Sequence, residues 1–412
     1  MKKILNLSIC VASLAFCTSS LQASSKYDSI KFGDFSIGGA VRVNFIHDSS
    51  DTDTKNGSKD DEGVFDLDMV RLDVDYKNGS YLGQFQYRWY PGYGVSENGT
   101  NYSFIHTAWL GYAFDDKSQV QVGINRVPFG PGAWGISQSW YFDQHYYVGL
   151  TDDMDLGVKF NSSFGGIKYD LAFYPQSEPN GIGKGEVYTN DGTQELSGDS
   201  ARYAYDVVGD FEEKNQINAR MIYTKMMNGK AQEFGVSLLY SQLEAQKSGV
   251  DDGSRYAISA HMKNRFGNFT LATQLTRYEM LVDADNDGKD DTLTVMGGFN
   301  YGEGVASKAW LPGFSLSYIL DTPNIDWLDY ALPYIEYSNI VKDEDSFNDS
   351  YMLMIGSALA RGNWYTYVDM AFANGNYFVG PYKSKDGGTN NFGANSGNEM
   401  EHRLNINFGY YF

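Results

Sequence analysis

The 412-residue chain has little cysteine, little basic charge and no long apolar run beyond its amino terminus. Lys and Arg number 32 against 52 Asp and Glu, a formal charge of −20, so the basic surface that nucleic-acid binding requires is missing. No later apolar stretch approaches the roughly 20 residues that a membrane-spanning helix needs. These shortages exclude nucleic-acid-binding proteins and helical integral membrane proteins.

Residues 1–23 have the composition of a secretory signal peptide. A basic start, an apolar stretch over residues 4–16 and a small-residue exit at Ala23 follow one another. Cleavage there would remove both cysteines, Cys10 and Cys17, and so exclude disulfides, thiolate metal sites and cysteine nucleophiles. We expect an exported, acidic chain in which residues 24–412 form a single domain.

Period-two alternation dominates the rest of the sequence, and no helical period is sustained. In residues 41–45 and 85–89, apolar or aromatic side chains alternate with polar or charged ones. Soluble sandwiches also alternate in this way, but here short connections such as 77–80 alternate with long polar ones such as 127–154. Aromatic residues also gather near the ends of the outward faces. The pattern predicts an all-β fold, a transmembrane antiparallel β-barrel with short periplasmic turns and long extracellular loops.

Sixteen strands fit between these connections. They are predicted at 34–47, 64–76, 81–91, 103–114, 119–126, 155–163, 167–175, 214–226, 231–245, 254–265, 269–281, 312–321, 329–340, 350–360, 363–375 and 400–412. An even count brings both termini to one side, and sixteen strands enclose a water-filled lumen. A phase change near Met69 and Val70 predicts a bulge. Residues 294–311 could hold an extra hairpin, so fourteen or eighteen strands also fit.

Several segments resemble known outer-membrane proteins. The terminal EHRLNINFGYYF (residues 401–412) resembles the last strand of Gram-negative outer-membrane porins, in which the assembly machinery reads a terminal Phe, here Phe412. FIHTAWLGYAF (104–114), VQVGINRVPFGPG (120–132) and YTYVDMAFANGN (365–376) resemble the phosphate-selective porin O and P family.

The resemblance implies a homotrimeric channel in the outer membrane of a Gram-negative bacterium, in contact with outer-membrane lipid and lipopolysaccharide. Its function would be passive diffusion of ions and small hydrophilic solutes, without enzymatic activity or a required cofactor. An anion- or phosphate-selective channel is the alternative, although the predicted extracellular loops carry mostly Asp and Glu. An outer-membrane lipid hydrolase is a further alternative. Its candidate would be His106, which shares the predicted lipid-facing phase with Phe104, Ala108 and Leu110.

Residues 127–154 form the third long loop, which in many porins folds into the lumen and narrows it. This loop is rich in aromatic and acidic residues and has no Lys or Arg between 127 and 154. The candidate constriction residues are Trp134, Trp140, Tyr141, Asp143, His145, Tyr146, Tyr147, Asp152 and Asp153. The other interpretation is a loop packed at a trimer interface or against a neighbouring loop.

Four arginines share the predicted lumen-facing phase. They lie on the first, second, third and last predicted strands, which become neighbours when a barrel closes. We name Arg42, Arg71, Arg88 and Arg403 the basic wall. Solutes would pass between this wall and the acidic loop. In the other interpretation, each arginine pairs with a neighbour such as Asp73 or Asp75.

The sixth long loop contains the sequence DADNDGKDD. Asp283, Asp285, Asp287 and Asp291 match positions 1, 3, 5 and 9 of a calcium-binding loop, and Gly288 stands at position 6. Position 12 is Thr294 in place of the bidentate Glu. The loop is a candidate Ca²⁺ site, with a solvated acidic loop as the alternative.

Overall fold

The computed structural model describes residues 29–48, 63–90, 102–179, 183–184, 187–189, 195–196, 202–299, 301–381 and 387–412. The predicted signal peptide, residues 1–23, lies outside the described residues. In the described part of the chain, no helix is both long enough and apolar enough to cross a membrane.

Sixteen strands form the barrel, as the alternation predicts. Their bounds are β1 Phe35–Asp48, β2 Val64–Asn78, β3 Tyr81–Tyr90, β4 Tyr102–Ala113, β5 Gln119–Arg126, β6 Met154–Phe164, β7 Ile167–Gln176, β8 Phe211–Met227, β9 Lys230–Ala245, β10 Gly253–Phe266, β11 Phe269–Leu281, β12 Lys308–Tyr318, β13 Tyr330–Lys342, β14 Ser350–Arg361, β15 Trp364–Asn374 and β16 Glu401–Tyr411. Each strand pairs antiparallel with the next one in the chain. Because β16 also pairs with β1, the sheet closes and has no edge.

The seam between the first and last strands runs from Asp48 opposite Arg403 to Ala40 opposite Tyr411. Beyond it, the Gly39 amide donates to the Phe412 carbonyl at 2.8 Å, and the Phe412 amide donates to the Gly39 carbonyl at 3.0 Å. The last residue of the chain therefore extends the seam by two backbone hydrogen bonds.

The two faces of each strand differ as a membrane barrel requires. On β9, Phe234, Val236 and Leu238 point outward and are about half exposed, whereas Ser237 and Ser241 between and beyond them are buried inside. Exposed aromatic rings such as Tyr81, Phe164 and Trp364 stand at the ends of strands. The barrel therefore has an apolar outer band with aromatic edges and a polar interior.

Connections are short at one end of the barrel and long at the other. At the short-turn end, Asn228 and Gly229 both have positive φ, 50° and 73°, as a type I′ hairpin needs. The β12–β13 connection, 319–329, is an exception and is longer.

One predicted strand, 312–321, is displaced. The observed strand begins at Lys308 and continues through Pro312. Proline has no N–H, and the ladder to β13 is interrupted at Leu311 and Pro312.

The irregular regions decide the strand count. The β1–β2 register shifts between Arg42 and Asn44, which places the bulge of β2 just before Met69, near the predicted phase change. The predicted extra hairpin exists as strands Leu293–Phe299 and Tyr301–Ala306, but it belongs to a separate five-stranded sheet inside the long-loop end. It adds no strand to the barrel, so sixteen is the observed number.

We expect deletion of Phe412 to reduce assembly of the folded barrel, because it removes two seam hydrogen bonds worth about 1 kcal/mol each. The heat-modifiable mobility of the barrel on denaturing gels measures the folded fraction. Phe412→Ala is the matched control for barrels refolded in detergent, since it keeps the backbone bonds and removes only the ring that the assembly machinery would read in cells. Equal folded fractions for the deletion and the parent would contradict the role of the seam.

Candidate functional site

The connection between β5 and β6, residues 127–153, lies inside the barrel, and we name it the inward loop. Its Gly130 amide donates to Ser237 Oγ of β9 at 3.1 Å. Its Gln144 amide donates to Ser338 Oγ of β13 at 3.1 Å, and its Trp140 amide donates to Asp369 Oδ2 of β15 at 2.8 Å. The loop therefore crosses the lumen and contacts the opposite wall.

Glu336 of β13 is a wall residue that accepts two hydrogen bonds from the inward loop. Its carboxylate accepts hydrogen bonds from Ser137 Oγ at 2.6 Å and from the Gln138 amide at 2.5 Å. Ser315 of β12 donates to the same carboxylate at 2.9 Å. One buried acid thus accepts hydrogen bonds from both the inward loop and the neighbouring strand β12.

His145 fixes the tip of the loop. Its ring is completely buried and bridges Asp143 Oδ1, 2.9 Å from Nδ1, to Thr276 Oγ1 of β11, 2.9 Å from Nε2. With both ring nitrogens engaged in this way, His145 acts as a structural connector between the loop and the wall.

The aromatic side chains of the loop pack against other long connections. Phe142 and Tyr146 stack at 4.5 Å between ring centroids, and Tyr147 stacks on Phe392 at 4.9 Å. Tyr147 also contacts Phe378, at 5.2 Å, and Tyr205, at 6.0 Å. Residues of the 375–400 and 177–210 connections therefore support the inward loop from the long-loop end.

A cavity of about 470 Å³ lies between the inward loop and the wall that contains β1, β2 and β3. Arg42, Arg71 and Arg88 line it on the wall side. The loop side is lined by Trp134, Trp140, Tyr141, Phe142, Tyr146, Tyr147 and the polar residues Ser137, Gln138 and Ser139. The cavity extends to Lys263 and Arg265, beside the short turn between β10 and β11, so it reaches the short-turn end.

The four arginines of the basic wall differ in their partners. Arg42 pairs with Asp68 at 2.7 Å and Arg71 with Asp73 at 2.8 Å. Arg88 stands directly opposite Arg71, and its guanidinium lies 4.6 Å from the Tyr203 ring. It makes no carboxylate pair with any described residue. The pairing interpretation thus describes Arg42 and Arg71, whereas Arg88 lines the cavity without a carboxylate pair among the described residues.

Arg403 lies elsewhere. Its side chain is fully buried, 5.7 Å from the Trp140 ring and 5.4 Å from the Tyr141 ring, and Nη1 donates to the Phe378 carbonyl at 2.7 Å. It does not line the cavity. Arg403 supports the loop from behind and is not part of the solute-facing surface.

The carboxylates of the inward loop also lie away from the cavity. Asp143 holds His145, and Asp152 pairs with Arg126 at 2.7 Å. Burial raises the pKa of Asp152, but Arg126 and His106 more than offset this and hold it below the usual range. Burial and the neighbouring carboxylates of Asp206 and Glu213 raise the pKa of Asp153 well above the usual range. The loop therefore presents a neutral aromatic surface to the basic wall, not the acidic one expected from its composition.

His106 points into the barrel, so the predicted lipid-facing position was wrong. The β3–β4 register shifts between Gln86 and Tyr87, and His106 is the extra residue of the bulge. The bulge reverses the phase, which places Phe104 inside and leaves Leu110 outside. The buried His106 ring lies 4.9 Å from the Tyr203 ring, and Nε2 is 3.7 Å from Asp152 Oδ2. The hydrolase alternative has thereby lost its candidate residue.

In the 283–291 loop, carboxylate oxygens of Asp283, Asp285 and Asp287 lie within 4.8 Å of one another. Asp291 is turned toward the backbone, where Oδ2 accepts from the Ala284 amide at 2.9 Å. Thr294 is buried and its Oγ1 lies 2.8 Å from Ser307 Oγ. Three of the four predicted ligands are thus close together, and calcium binding here stays a prediction.

Several site residues escaped the sequence analysis. Glu336, Asp369 and Ser338 stand in the lumen phase of predicted strands, so acids in that phase could have been noticed. Tyr203 and Phe378 lie in long connections, where no periodicity indicates which way a side chain points.

Comparisons with known structures agree with the fold. The outer membrane channel DcaP of Acinetobacter baumannii has a TM-score of 0.56 at 13% identity, covering 93% of this chain and 99% of that one. Salmonella typhi OmpF, in complex with daunomycin, has a TM-score of 0.56 at 13% identity, covering 93% and 100%. An anion-selective porin from Comamonas acidovorans has a TM-score of 0.52 at 11% identity, covering 92% and 99%.

No family model and no curated protein matches the sequence. The specific resemblance to the porin O and P family therefore has no support beyond the general one to outer-membrane porins. What the structural likeness establishes is the fold class, a closed sixteen-stranded antiparallel barrel of the outer-membrane type.

We expect Asp152→Ala to lower the free energy of unfolding by about 3 kcal/mol, because it leaves the Arg126 charge without its buried partner. Urea unfolding in detergent micelles, followed by tryptophan fluorescence, measures the change. Asp290→Ala is the matched control, since it breaks a more exposed loop pair with Lys308 and should cost less than about 1 kcal/mol. Similar losses in the two variants would show that Asp152 is not a buried anchor.

For the 283–291 loop, calorimetric titration of the folded protein should show saturable heat with a Kd of about 10⁻⁴ to 10⁻³ M for Ca²⁺. Asp285→Ala and Asp287→Ala should abolish it, whereas Asp290→Ala, one carboxylate outside the cluster, should not. Absence of saturable heat at millimolar calcium would leave this loop as a solvated acidic surface.

Proposed function

We propose that this protein is an outer-membrane channel of a Gram-negative bacterium through which ions and small hydrophilic solutes diffuse passively. The supporting observation is the cavity between an aromatic inward loop and a cationic wall, inside a closed sixteen-stranded barrel. Barrels of this size leave room for water within the sheet. In this proposal the chain is not an enzyme and requires no cofactor.

Anion preference is the second proposal, and the lining of the cavity favours it. Five lining side chains are cationic, and three are acidic. The cations are Arg42, Arg71, Arg88, Lys263 and Arg265, and the acids are Asp68, Asp321 and Asp329. Because the cavity walls exclude bulk water, an uncompensated cation there attracts anions more strongly than one on the surface.

The mechanism follows from the two unlike sides of the cavity. A solute passing between them meets guanidinium groups on one side and the rings of Trp140, Tyr141 and Phe142 on the other. Polar or anionic groups would turn toward Arg88, and the carbon skeleton would slide along the rings. The inward loop would act as the constriction, since its contacts to β13 and β15 hold it across the lumen.

The outer surface supports a membrane assembly. Its apolar band would face outer-membrane lipid, with lipopolysaccharide at the long-loop end, and part of it would be covered by neighbouring subunits of a homotrimer. Crosslinking in detergent, compared before and after heating, measures that assembly state.

We expect Arg88→Glu to shift the reversal potential toward cations in planar bilayers under a salt gradient. At about 8 Å and an effective dielectric constant of about 40, one unit charge stabilises a monovalent anion and destabilises a monovalent cation by roughly 1 kcal/mol each, or about thirtyfold in the ratio of anion to cation permeability. Arg88→Gln should produce about half the effect of the reversal.

Lys247→Glu is the control for the Arg88 experiment, because it makes the same charge change at an exposed connection between β9 and β10. Salt screens exposed charges over about 8 to 10 Å, so its effect should fade as ionic strength rises, whereas that of Arg88→Glu persists. An open channel with identical reversal potentials in the parent and Arg88→Glu would place the conduction path elsewhere. Failure of the folded protein to conduct at all would refute the channel.

A further inference from the structure

Acidic side chains, with Glu178 beside them, are buried together where the inward loop rejoins the barrel. Asp153 ends the loop, Asp155 begins β6, Asp206 lies in the short strand Arg202–Val207, and Glu213 lies on β8. Each is at most 3% exposed. Carboxylate oxygens of Asp153, Asp155 and Asp206 lie within 4.8 Å of one another.

The neighbouring Arg255 already has hydrogen-bond partners for its guanidinium. Arg255 Nη1 pairs with Glu213 Oε1 at 2.5 Å, and Nη2 donates to the carbonyls of Val148 and Gly149 at 2.9 and 2.8 Å. It therefore balances Glu213 and fastens the loop backbone. Oδ1 of Asp153 and Oδ1 of Asp155 accept no hydrogen bond from any described residue.

Gln216 supplies an independent sign of a ligand. This side chain of β8 is 2% exposed, and its Nε2 donates to Asp155 Oδ2 at 2.7 Å. At the other end of the same amide, Oε1 has no hydrogen-bond partner among the described residues. A buried amide oxygen left unpaired beside carboxylates costs free energy, unless a cation takes it as a ligand.

We propose that Asp153, Asp155 and Asp206 bind a divalent cation inside the barrel, and that calcium is the ion the donors fit. The donors are carboxylate and amide oxygens, the type that Ca²⁺ prefers, at Ca²⁺–oxygen distances of about 2.3–2.6 Å. Two oxygens on opposite sides of one such ion are about 4.6–5.2 Å apart, so the observed spread of the carboxylates suits one shared ion. Zinc would favour histidine or cysteine ligands, and the cluster contains neither.

The cation would join segments that otherwise repel. Asp153 belongs to the inward loop, Asp155 to the wall, and Asp206 to a connection that packs on the loop. Bound calcium would therefore fix the loop where it rejoins β6, across the lumen from its hydrogen bonds to Glu336. Because the ligands are almost fully buried, the ion would enter during folding and exchange slowly afterward.

The test measures calcium retained after folding and does not depend on channel activity. The protein is refolded into micelles with Ca²⁺ or with EGTA, desalted, and analysed for bound calcium by mass spectrometry. The background protein combines Asp283→Asn, Asp285→Asn and Asp287→Asn, so that the 283–291 loop binds none of the measured calcium. We expect one calcium per chain and a higher urea midpoint after folding with Ca²⁺ than with EGTA.

Asp153→Asn with Asp155→Asn, added to that background, should lose both the calcium and the difference in midpoint. The matched control is Asp170→Asn, a buried carboxylate that pairs with Arg220 outside the cluster, and it should retain the calcium. Calcium missing from the background protein, or retained by the double variant, would overturn the proposal. If the double variant does not fold, the background protein still decides, since equal midpoints in Ca²⁺ and EGTA would also overturn it.

Discussion

Backbone hydrogen bonding in an apolar surrounding is the constraint on which the rest of this structure depends. Hydrocarbon offers no partner for N–H or C=O groups, so every strand must find a neighbour on both sides. Closure of β16 on β1, continued by Phe412, satisfies the strands that would otherwise be edges. Because one face of the closed sheet must be apolar, polar and charged side chains gather in the lumen.

The polar groups in the lumen allow an irregular loop to be buried there, because they can accept hydrogen bonds from its backbone amides. An irregular segment inside a barrel has amides without ladder partners, and unpaired buried amides destabilise the fold. Here side chains on the inner faces of strands accept hydrogen bonds from those amides. They are Ser237, Glu336, Ser338 and Asp369. Much of the polar lining therefore serves the loop, and the part that lines the cavity, Arg88 included, remains for solutes.

The sequence predicted the fold well because strand direction and side-chain phase are local properties. Fifteen of the sixteen strands lie close to their predicted ranges, and Arg42, Arg71 and Arg88 line the lumen because alternation placed them there. The failures arise where the backbone or a loop side chain departs from regular alternation. The bulge at His106 reverses the phase by one residue, and nothing in the local pattern marks it. Asp152 turns away from the cavity toward Arg126, which is distant in sequence, whereas Asp143 turns toward His145 of the same loop and Asp153 lies beside Asp155 and Asp206.

The buried carboxylates at the end of the inward loop and the guanidinium of Arg88 have different surroundings, and this separates their roles. The carboxylates of Asp153 and Asp155 are sealed within protein, where an isolated negative charge is unstable and a bound cation stabilises it. Arg88 stands at the edge of a cavity, where its charge can be met by a transient anion from solution. A channel needs weak, exchangeable partners for its solutes and permanent ones for its supports. The cation that we propose would stabilise the loop, and the field at Arg88 would act on what passes it.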